Sequence, residues 1–569
     1  MKRINKILIT AVLACSAVAA NAIPAYPGAW RTLTLADGTQ VRAQLRGDEF
    51  GSFFMDAKGV CYTLDTNRGN NIYTKTDINK VLLKSNAARE AANAARAQRR
   101  QSPARAIEKP AQPIVGKKKG LIILVQYKDK KFGIGYNKSF VEGYVNGPLT
   151  DKQTKRGFVG TVKDYFIAQS NGQFELDFDV VGPYTLQQNY AYYGAHSASG
   201  ANDIRPQEMI REAVKAADAD VNFADYCWSN NGTVDQVYVL FAGHGEADGY
   251  DENTIWPHES QLSYYGAPYT TQDTDANGVT VTVDTYACGP ELLMSRKAGI
   301  GTLCHEFAHC LGYPDMYDTA YSGYYGMGQW SLMDQGSYNG DSFCPPNFTA
   351  YEKWYAGWIE PTVLDKAATV KGLPAQDMKY GQSFVVYNNA TQDEYYLLEN
   401  RQNNVGLWDT QLPGSGLMIT HVDYDKNIWH YNRVNTNANY SNLQNDHERL
   451  TIFCADNDRN ATTANGDLYP YNGNDALDDT SLPAAIIYNG GTRMGKPVTG
   501  IKQNADGTID FDFMGGSSDN IYTGISSVSA NAGKASDNRV FSLDGRYLGD
   551  DINAVGKGVF VQGGKKIVK

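Results

Sequence analysis

Two of the chain's eight histidines sit four residues apart in "TLCHEFAHCLGYPDMYD", residues 302–318. They are His305 and His309, and Glu306 directly follows the first. On an α-helix, residues four apart lie one turn apart on the same face. Two imidazoles so placed can hold one Zn²⁺. Glu306 is turned about 100° away on such a helix. It cannot ligate beside the histidines, yet it can reach a water on the metal. This is equipment for hydrolysis: a metal-activated water attacks a carbonyl and Glu306 acts as general base. The competing reading is a pair of hydrogen-bonded core histidines. Histidine is too scarce in this chain for the five-residue pattern to be a common accident.

A third ligand requires the chain to turn back after the helix. Gly312 suits the C′ position and Pro314 stops the helix. Asp315 then lies six residues past His309, where a turned chain brings a carboxylate to the metal. Asp318 competes with it and otherwise supports the ligands from behind. A more distant acidic residue also stays open. A second donor for the oxyanion is expected; His244, His258 and several tyrosines are candidates, and a structural role is the favoured reading of each. Cys304 and Cys310 would lie about 9 Å apart along the helix on different faces, so they read as packing residues.

The elements that must position these residues follow from the patterning. Ile300, Leu303, Cys304, Phe307, Ala308 and Leu311 form one helical stripe, so the histidine helix is buried along one side. Upstream, "GLIILVQY" (120–127) and "QVYVLFAG" (236–243) are apolar runs that read as buried strands, with a helical "RPQEMIREAVKAADA" between them. Strands mixed with helices over residues 118–365 give an α/β or α+β unit. Residues 366–514 carry short strands and turns, among them "EYYLLENRQ" and "SGLMITHVDYD", at β-sandwich spacing. His421 and Asp423 fall on one of those strands. Residues 515–569 begin with a linker and end in a small β tail.

The N-terminus reads as a targeting segment over residues 1–22. "MKRINK" is basic, "ILITAVLACSAVA" is apolar, and "ANA" is a small-residue cleavage site that puts the mature start near Ile23. A lipid anchor at Cys15 is the rival reading; the apolar run continuing past Cys15 favours plain secretion. No segment is long and apolar enough to span a bilayer. The product is therefore secreted or at the cell surface, and a formal net charge of -10 argues against nucleic acid as a partner. Seven cysteines remain, without framework spacing, so buried thiols with at most one bridge are expected. Residues 23–117 combine a β-rich stretch with a basic Ala/Arg/Lys linker. They read as a prosegment released by cleavage near "RAQRRQSPAR", residues 96–105. A thiolate from Cys61 could cap the metal; a small buried thiol is the favoured reading.

Several stretches together resemble one family. "HEFAHCLGYPDMYD" is similar to the extended zinc motif of the M6, immune inhibitor A-like, secreted bacterial metallopeptidases, a metzincin-like group with aspartate as third ligand. "GMGQWSLMDQGSYNG" (326–340) resembles their Met-turn segment, which implies Met333 beneath the metal. "VKDYFIAQSNGQFELDFDVVGPYTL", "QVYVLFAGHGEADG" and "LPGSGLMITHVD" resemble flanking parts of the family in the same order. The resemblance implies a zinc endopeptidase acting on proteins or peptides and made as a latent precursor. The implied architecture is α+β multidomain. It comprises a β-rich prosegment, a metzincin-like catalytic domain, a β-sandwich and a small β tail.

The chain departs from the family at "YCWSNNGTVD", where many members have an Asp/Asn/Gly-rich, calcium-suited loop and this chain is poorer in carboxylates. "DTDANGVTVTVD" (273–284) and "ADNDRNATTANGD" (455–467) offer oxygen ligands for a structural Ca²⁺. Turn chemistry is the other reading, and a hairpin tip is favoured for the first. The stretch Val540 to Lys569 resembles type IX sorting tails of Bacteroidota proteins, which implies the outer-membrane export machinery as a partner. The other functional class the sequence admits is a surface adhesin on a metallopeptidase scaffold. Intact His305, Glu306 and His309 favour the enzyme.

Overall fold

A computed structural model of the chain describes residues 20–65, 71–98, 113–196, 202–376, 382–440, 443–516, 520–522, 540–542, 547–549, 552–554, 556, 559–562 and 565–569. Cys15, most of the targeting segment and most of the cleavage stretch 96–105 lie outside these residues.

The site rests on a mixed sheet. Its strands are β1 (Ala20–Ala22), β2 (Gly116–Gln126), β3 (Phe174–Thr185), β4 (Tyr238–His244), β5 (His258–Gln261) and β6 (Thr285–Leu293), in the spatial order β1-β5-β6-β4-β2-β3. The run β6-β4-β2-β3 is parallel, and β5 is added antiparallel to β6. The central strands are apolar because both their faces are covered. Leu121, Ile123, Val125, Val239 and Phe241 face a helix at Pro206–Ala217. Ile122, Leu124 and Leu240 face the histidine helix, which we call α1 (Gly301–Cys310). By contrast β3, at the edge, alternates buried and half-buried residues over "FELDFDVV", as a strand covered on one face must.

The stripe read from the sequence is the buried face of α1, but the whole helix is enclosed: every residue from Gly301 to Cys310 is buried. Its close approach to the following loop needs glycine, since a Cβ on Gly301 would stand 1.9 Å from the Ser337 carbonyl oxygen.

Residues 362–522 form a five-stranded sheet and a four-stranded sheet with an apolar core that includes Val370, Leu398, Ile419 and Phe511. The outer side of the first sheet contributes Val385, Leu397, Met418 and Val422 to the core that also holds α1. A buried ion pair within the second region, Arg401 with Asp409, fastens it to the first through Asn347, whose N–H also donates to Asp409 at 2.9 Å. Arg401 Nε and Nη2 donate to the two Asp409 carboxylate oxygens at 2.8 and 2.7 Å, and Nη2 reaches the Asn347 carbonyl at 3.1 Å. Both side chains are fully buried.

Ahead of the sheet, five strands between Trp30 and Thr76 close into a small barrel, and a helix follows at Ile78–Gln98. The barrel shares an apolar cluster with Trp256, Leu293 and Tyr338. At the other end, strands between Val540 and Val568 form a separate four-stranded antiparallel sheet. No helix among the described residues is long and apolar enough to cross a membrane. Cys61, Cys227, Cys288, Cys304, Cys310, Cys344 and Cys454 are all buried free thiols, so the single bridge allowed for above does not form.

The Arg401–Asp409 pair gives a test of the joint. Asp409→Ala would leave a buried guanidinium without its carboxylate, and should lower stability by about 3–5 kcal/mol, read from the guanidinium unfolding midpoint.

Candidate metal centre

The helix α1 ends in a Schellman motif. Gly312, at φ +101°, donates its N–H to the His309 carbonyl at 2.8 Å, and Tyr313 donates to Ala308 at 3.3 Å. Only glycine fits here: φ is left-handed, and a Cβ would lie 2.5 Å from the Tyr355 hydroxyl. That turn directs residues 313–315 back over the end of the helix.

Three electron pairs then converge. His305 Nδ1 donates to the Leu332 carbonyl at 2.7 Å and His309 Nδ1 to the Tyr313 carbonyl at 2.8 Å. With the protons on Nδ1, both Nε2 atoms carry lone pairs, and they face each other at 3.1 Å. Asp315 Oδ1 lies 3.2 Å from each of them. That oxygen is buried and accepts no hydrogen bond. A proton can sit between two of these atoms at a time, whereas a metal ion satisfies all three. The spacings fit the ion: donors on a tetrahedron with bonds of about 2.0 Å are about 3.3 Å apart. Zinc suits this set of two imidazoles and a carboxylate.

The electrostatics agree with a place built for positive charge. Burial pulls the His305 imidazole below its ordinary range. At His309 burial acts the same way, but the Asp315 carboxylate outweighs it and lifts the group. Burial would raise Asp315, yet His309 and His305 hold it below the usual carboxylate range. Glu306 is pushed well above its ordinary value by burial, partly offset by a backbone N–H from Ile23.

Glu306 belongs to the same cluster: one ligand atom from each of His305, Glu306 and His309 lies within 4.8 Å of the others. Its Oε1 does not take part in the His–Asp contact. It accepts the Ile23 N–H at 2.9 Å instead.

The segment that resembles a Met-turn lies directly against His305 and the loop of Asp315. Leu332 supplies the carbonyl for His305, and the Met333 carbonyl accepts the Met316 N–H at 2.8 Å, one residue past Asp315. Met333 is fully buried.

Asp318 departs from the supporting role expected of it. Its two oxygens accept from Ala320 N, Ser322 Oγ, Gly323 N and Tyr324 N at 2.8–3.2 Å, so it closes its own loop. Asn432 supports the ligand instead. Its Nδ2 donates to Asp315 Oδ2, and its Oδ1 accepts the Asp315 N–H, both at 2.6 Å. It comes from 117 residues away in the chain, and no local pattern marks it. The two histidines weighed as oxyanion donors are engaged elsewhere. His258 meets the Trp256 carbonyl at 2.7 Å and Tyr286 at 3.0 Å, and burial holds it down at about 4. His244 meets Asp248 at 2.7 Å and stacks on Tyr250.

The other oxygen-rich stretches are turns. Residues 273–284 form a hairpin whose Asp275 accepts two backbone N–H groups of its own tip. Asp467 accepts from Trp330 Nε1 and the Tyr325 hydroxyl. Among the described residues neither stretch gathers three metal-ligating side chains. Cys61 does not reach the site either; it is buried in the N-terminal barrel, its thiol 3.8 Å from the Gly59 carbonyl.

Residues 117–359 match the immune inhibitor A peptidase M6 catalytic domain. This segment belongs to the M6 peptidase family. Relatives agree with the assignment. The Pre-pro-metalloprotease PrtV of Vibrio cholerae is 27% identical over 222 residues, which are 36% of this chain and 24% of that protein. The Immune inhibitor A of Bacillus thuringiensis subsp. alesti is 27% identical over 303 residues, 46% of this chain and 43% of that protein. The match thus spans less than half the length of either relative.

If Asn432 fixes the Asp315 carboxylate, Asn432→Ala should weaken zinc binding by about 10- to 100-fold. Competition against a chromophoric chelator reads this directly.

Proposed function

We propose that this M6 segment makes the chain a secreted zinc endopeptidase, synthesised as a latent precursor. Its catalytic domain would be metzincin-like and span about residues 118–365, followed by a β-sandwich to about 514. The observation that carries the reading is the convergence of His305 Nε2, His309 Nε2 and Asp315 Oδ1 beside a buried Glu306 that faces a peptide N–H. Zinc held there supplies an open position that acidifies water and polarises a carbonyl. Glu306 takes the water's proton as the scissile carbonyl is attacked, then passes it to the leaving nitrogen. The contact from Ile23 N–H to Glu306 Oε1 sits where that second transfer needs it. Burial raises the proton affinity of Glu306, which suits a group that must accept and return a proton. The substrates are proteins or peptides.

Latency has its own support. In the uncut chain the end of the leader, strand β1, pairs antiparallel with the edge of β5, with Ala22 opposite His258, and leads the prosegment onto Glu306. Asn21 Nδ2 donates to Glu259 at 3.1 Å, and Tyr338 donates to the Pro24 carbonyl at 2.7 Å. Farther along, Arg89 bonds to both Asp48 and the Thr319 carbonyl, so the prosegment is also fixed to the loop beyond Asp315. Chain lying over Glu306 keeps a substrate off it. If the leader is cut after Ala22, as its small-residue site implies, the new amine of Ile23 stays on Glu306 and the block persists. Secretion would follow from that leader, and passage of the outer membrane from the tail after residue 515.

Glu306→Ala should keep about one zinc per chain and lose about 10²- to 10⁴-fold in peptide hydrolysis. Metal analysis with a quenched fluorescent peptide assay decides it; zinc bound with equal activity in both proteins would sink the mechanism. Trypsin cleavage of the full chain within residues 96–105, followed by separation of the fragments, should raise the activity of the larger one.

A further inference from the structure

The peptide bond between Ala22 and Ile23 is held at both of its polar atoms by the site. Ile23 N–H donates to Glu306 Oε1 at 2.9 Å, and the Ala22 carbonyl oxygen accepts the Tyr317 hydroxyl at 2.8 Å. The next two carbonyls are held too, Ile23 by Trp256 Nε1 at 2.8 Å and Pro24 by Tyr338. Upstream, the chain continues as a β-strand on β5. This peptide therefore lies in one register across the site, with its nitrogen on the general base.

In hydrolysis the group that hands a proton to the leaving nitrogen must face that nitrogen, and the adjacent carbonyl oxygen is where negative charge develops. The Ala22–Ile23 bond presents its nitrogen and oxygen in that order to Glu306 and Tyr317. We propose that Tyr317 is the hydroxyl that holds the scissile carbonyl oxygen of a substrate and donates to the oxyanion, with Trp256 a positioning residue for the carbonyl one residue downstream. This rests on the peptidase reading above and adds the donor that the sequence left unassigned.

The place of Tyr317 is set by the same turn that delivers Asp315. The backbone of Met316 is fastened on both sides, its N–H to the Met333 carbonyl at 2.8 Å and its carbonyl to Asn435 Nδ2 at 2.8 Å. Gly326 packs against this backbone so closely that a Cβ would stand 2.6 Å from the Met316 oxygen. Tyr317 itself is 6% exposed. An oxyanion donor must be aimed before the charge appears, and a phenol on a doubly anchored, buried turn meets that requirement.

Docking of the uncut leader end alone would also use a Tyr317–Ala22 bond, and kinetics separate the two. Full-length protein, cleaved with trypsin within residues 96–105, is compared as wild type, Tyr317→Phe, Trp256→Phe and Glu306→Ala, with zinc content and melting temperature checked for each. Tyr317→Phe should lower kcat by about 10²- to 10³-fold with KM little changed. Trp256→Phe should chiefly raise KM. A phosphonamidate peptide, whose tetrahedral oxygens mimic the oxyanion, should bind Tyr317→Phe more weakly by the same factor as kcat falls, while zinc content stays at the wild-type level. A Tyr317→Phe enzyme with wild-type kcat, or with only KM raised, overturns the assignment while Glu306→Ala remains inactive. If Tyr317→Phe loses zinc or melts early, Tyr317→His, which keeps a donor, should recover part of the phosphonamidate affinity; no recovery overturns the assignment. Equal activity in Glu306→Ala and wild type would instead remove the peptidase reading beneath it.

Discussion

Three acceptor atoms buried within 3.2 Å of one another repel unless a positive charge lies between them. Most of what surrounds α1 serves to enforce that crowding. The Nδ1 protons of both histidines are fixed on backbone carbonyls, so neither ring can turn its lone pair away. Asp315 is gripped at its N–H and at its outer oxygen by one asparagine, which leaves the inner oxygen aimed at the histidines. The burial that makes this costly without an ion also makes the site selective for positive charge, since low polarity strengthens each attraction.

The ligand loop answers to two parts of the chain at once. Its inner side is anchored to the Met333 backbone. Its outer side is anchored to residues 432–436, through Asn432, Asn435 and the Thr319–Thr436 pair. Those residues follow the strands of residues 394–423, which share the core of α1 and reach the Trp330 and Asn347 carbonyls through Arg401. Residues beyond 365 thus help to shape the candidate metal centre, although the family match stops at residue 359.

The N-terminal segment uses the same surface in the opposite sense. An antiparallel edge beside α1 is a ready place for an extended peptide to add, and here the chain's own residues 20–22 fill it. Most of the contacts are made to backbone atoms of the segment, with the Asn21 side chain on Glu259 the exception. The same N-terminal region brings no thiol to His305, His309 and Asp315, since Cys61 is buried in the barrel.

Local patterns reveal what depends on helix periodicity and turn chemistry. The four-residue histidine spacing, the apolar stripe from Ile300 to Leu311 and the glycine at 312 follow from 3.6 residues per turn and from the left-handed φ that ends a helix. They were enough to point to His305, Glu306, His309 and Asp315, and the resemblance added Met333. Asp318 read just as well as a supporting carboxylate, because distance along a chain does not say which way a loop side chain turns. Its four local hydrogen bonds settle that. The roles of Asn432, Trp256 and Tyr317 were decided by tertiary structure alone: each gains its partner by packing from a separate stretch of chain, and a one-dimensional pattern carries no trace of a contact 117 or 295 residues long.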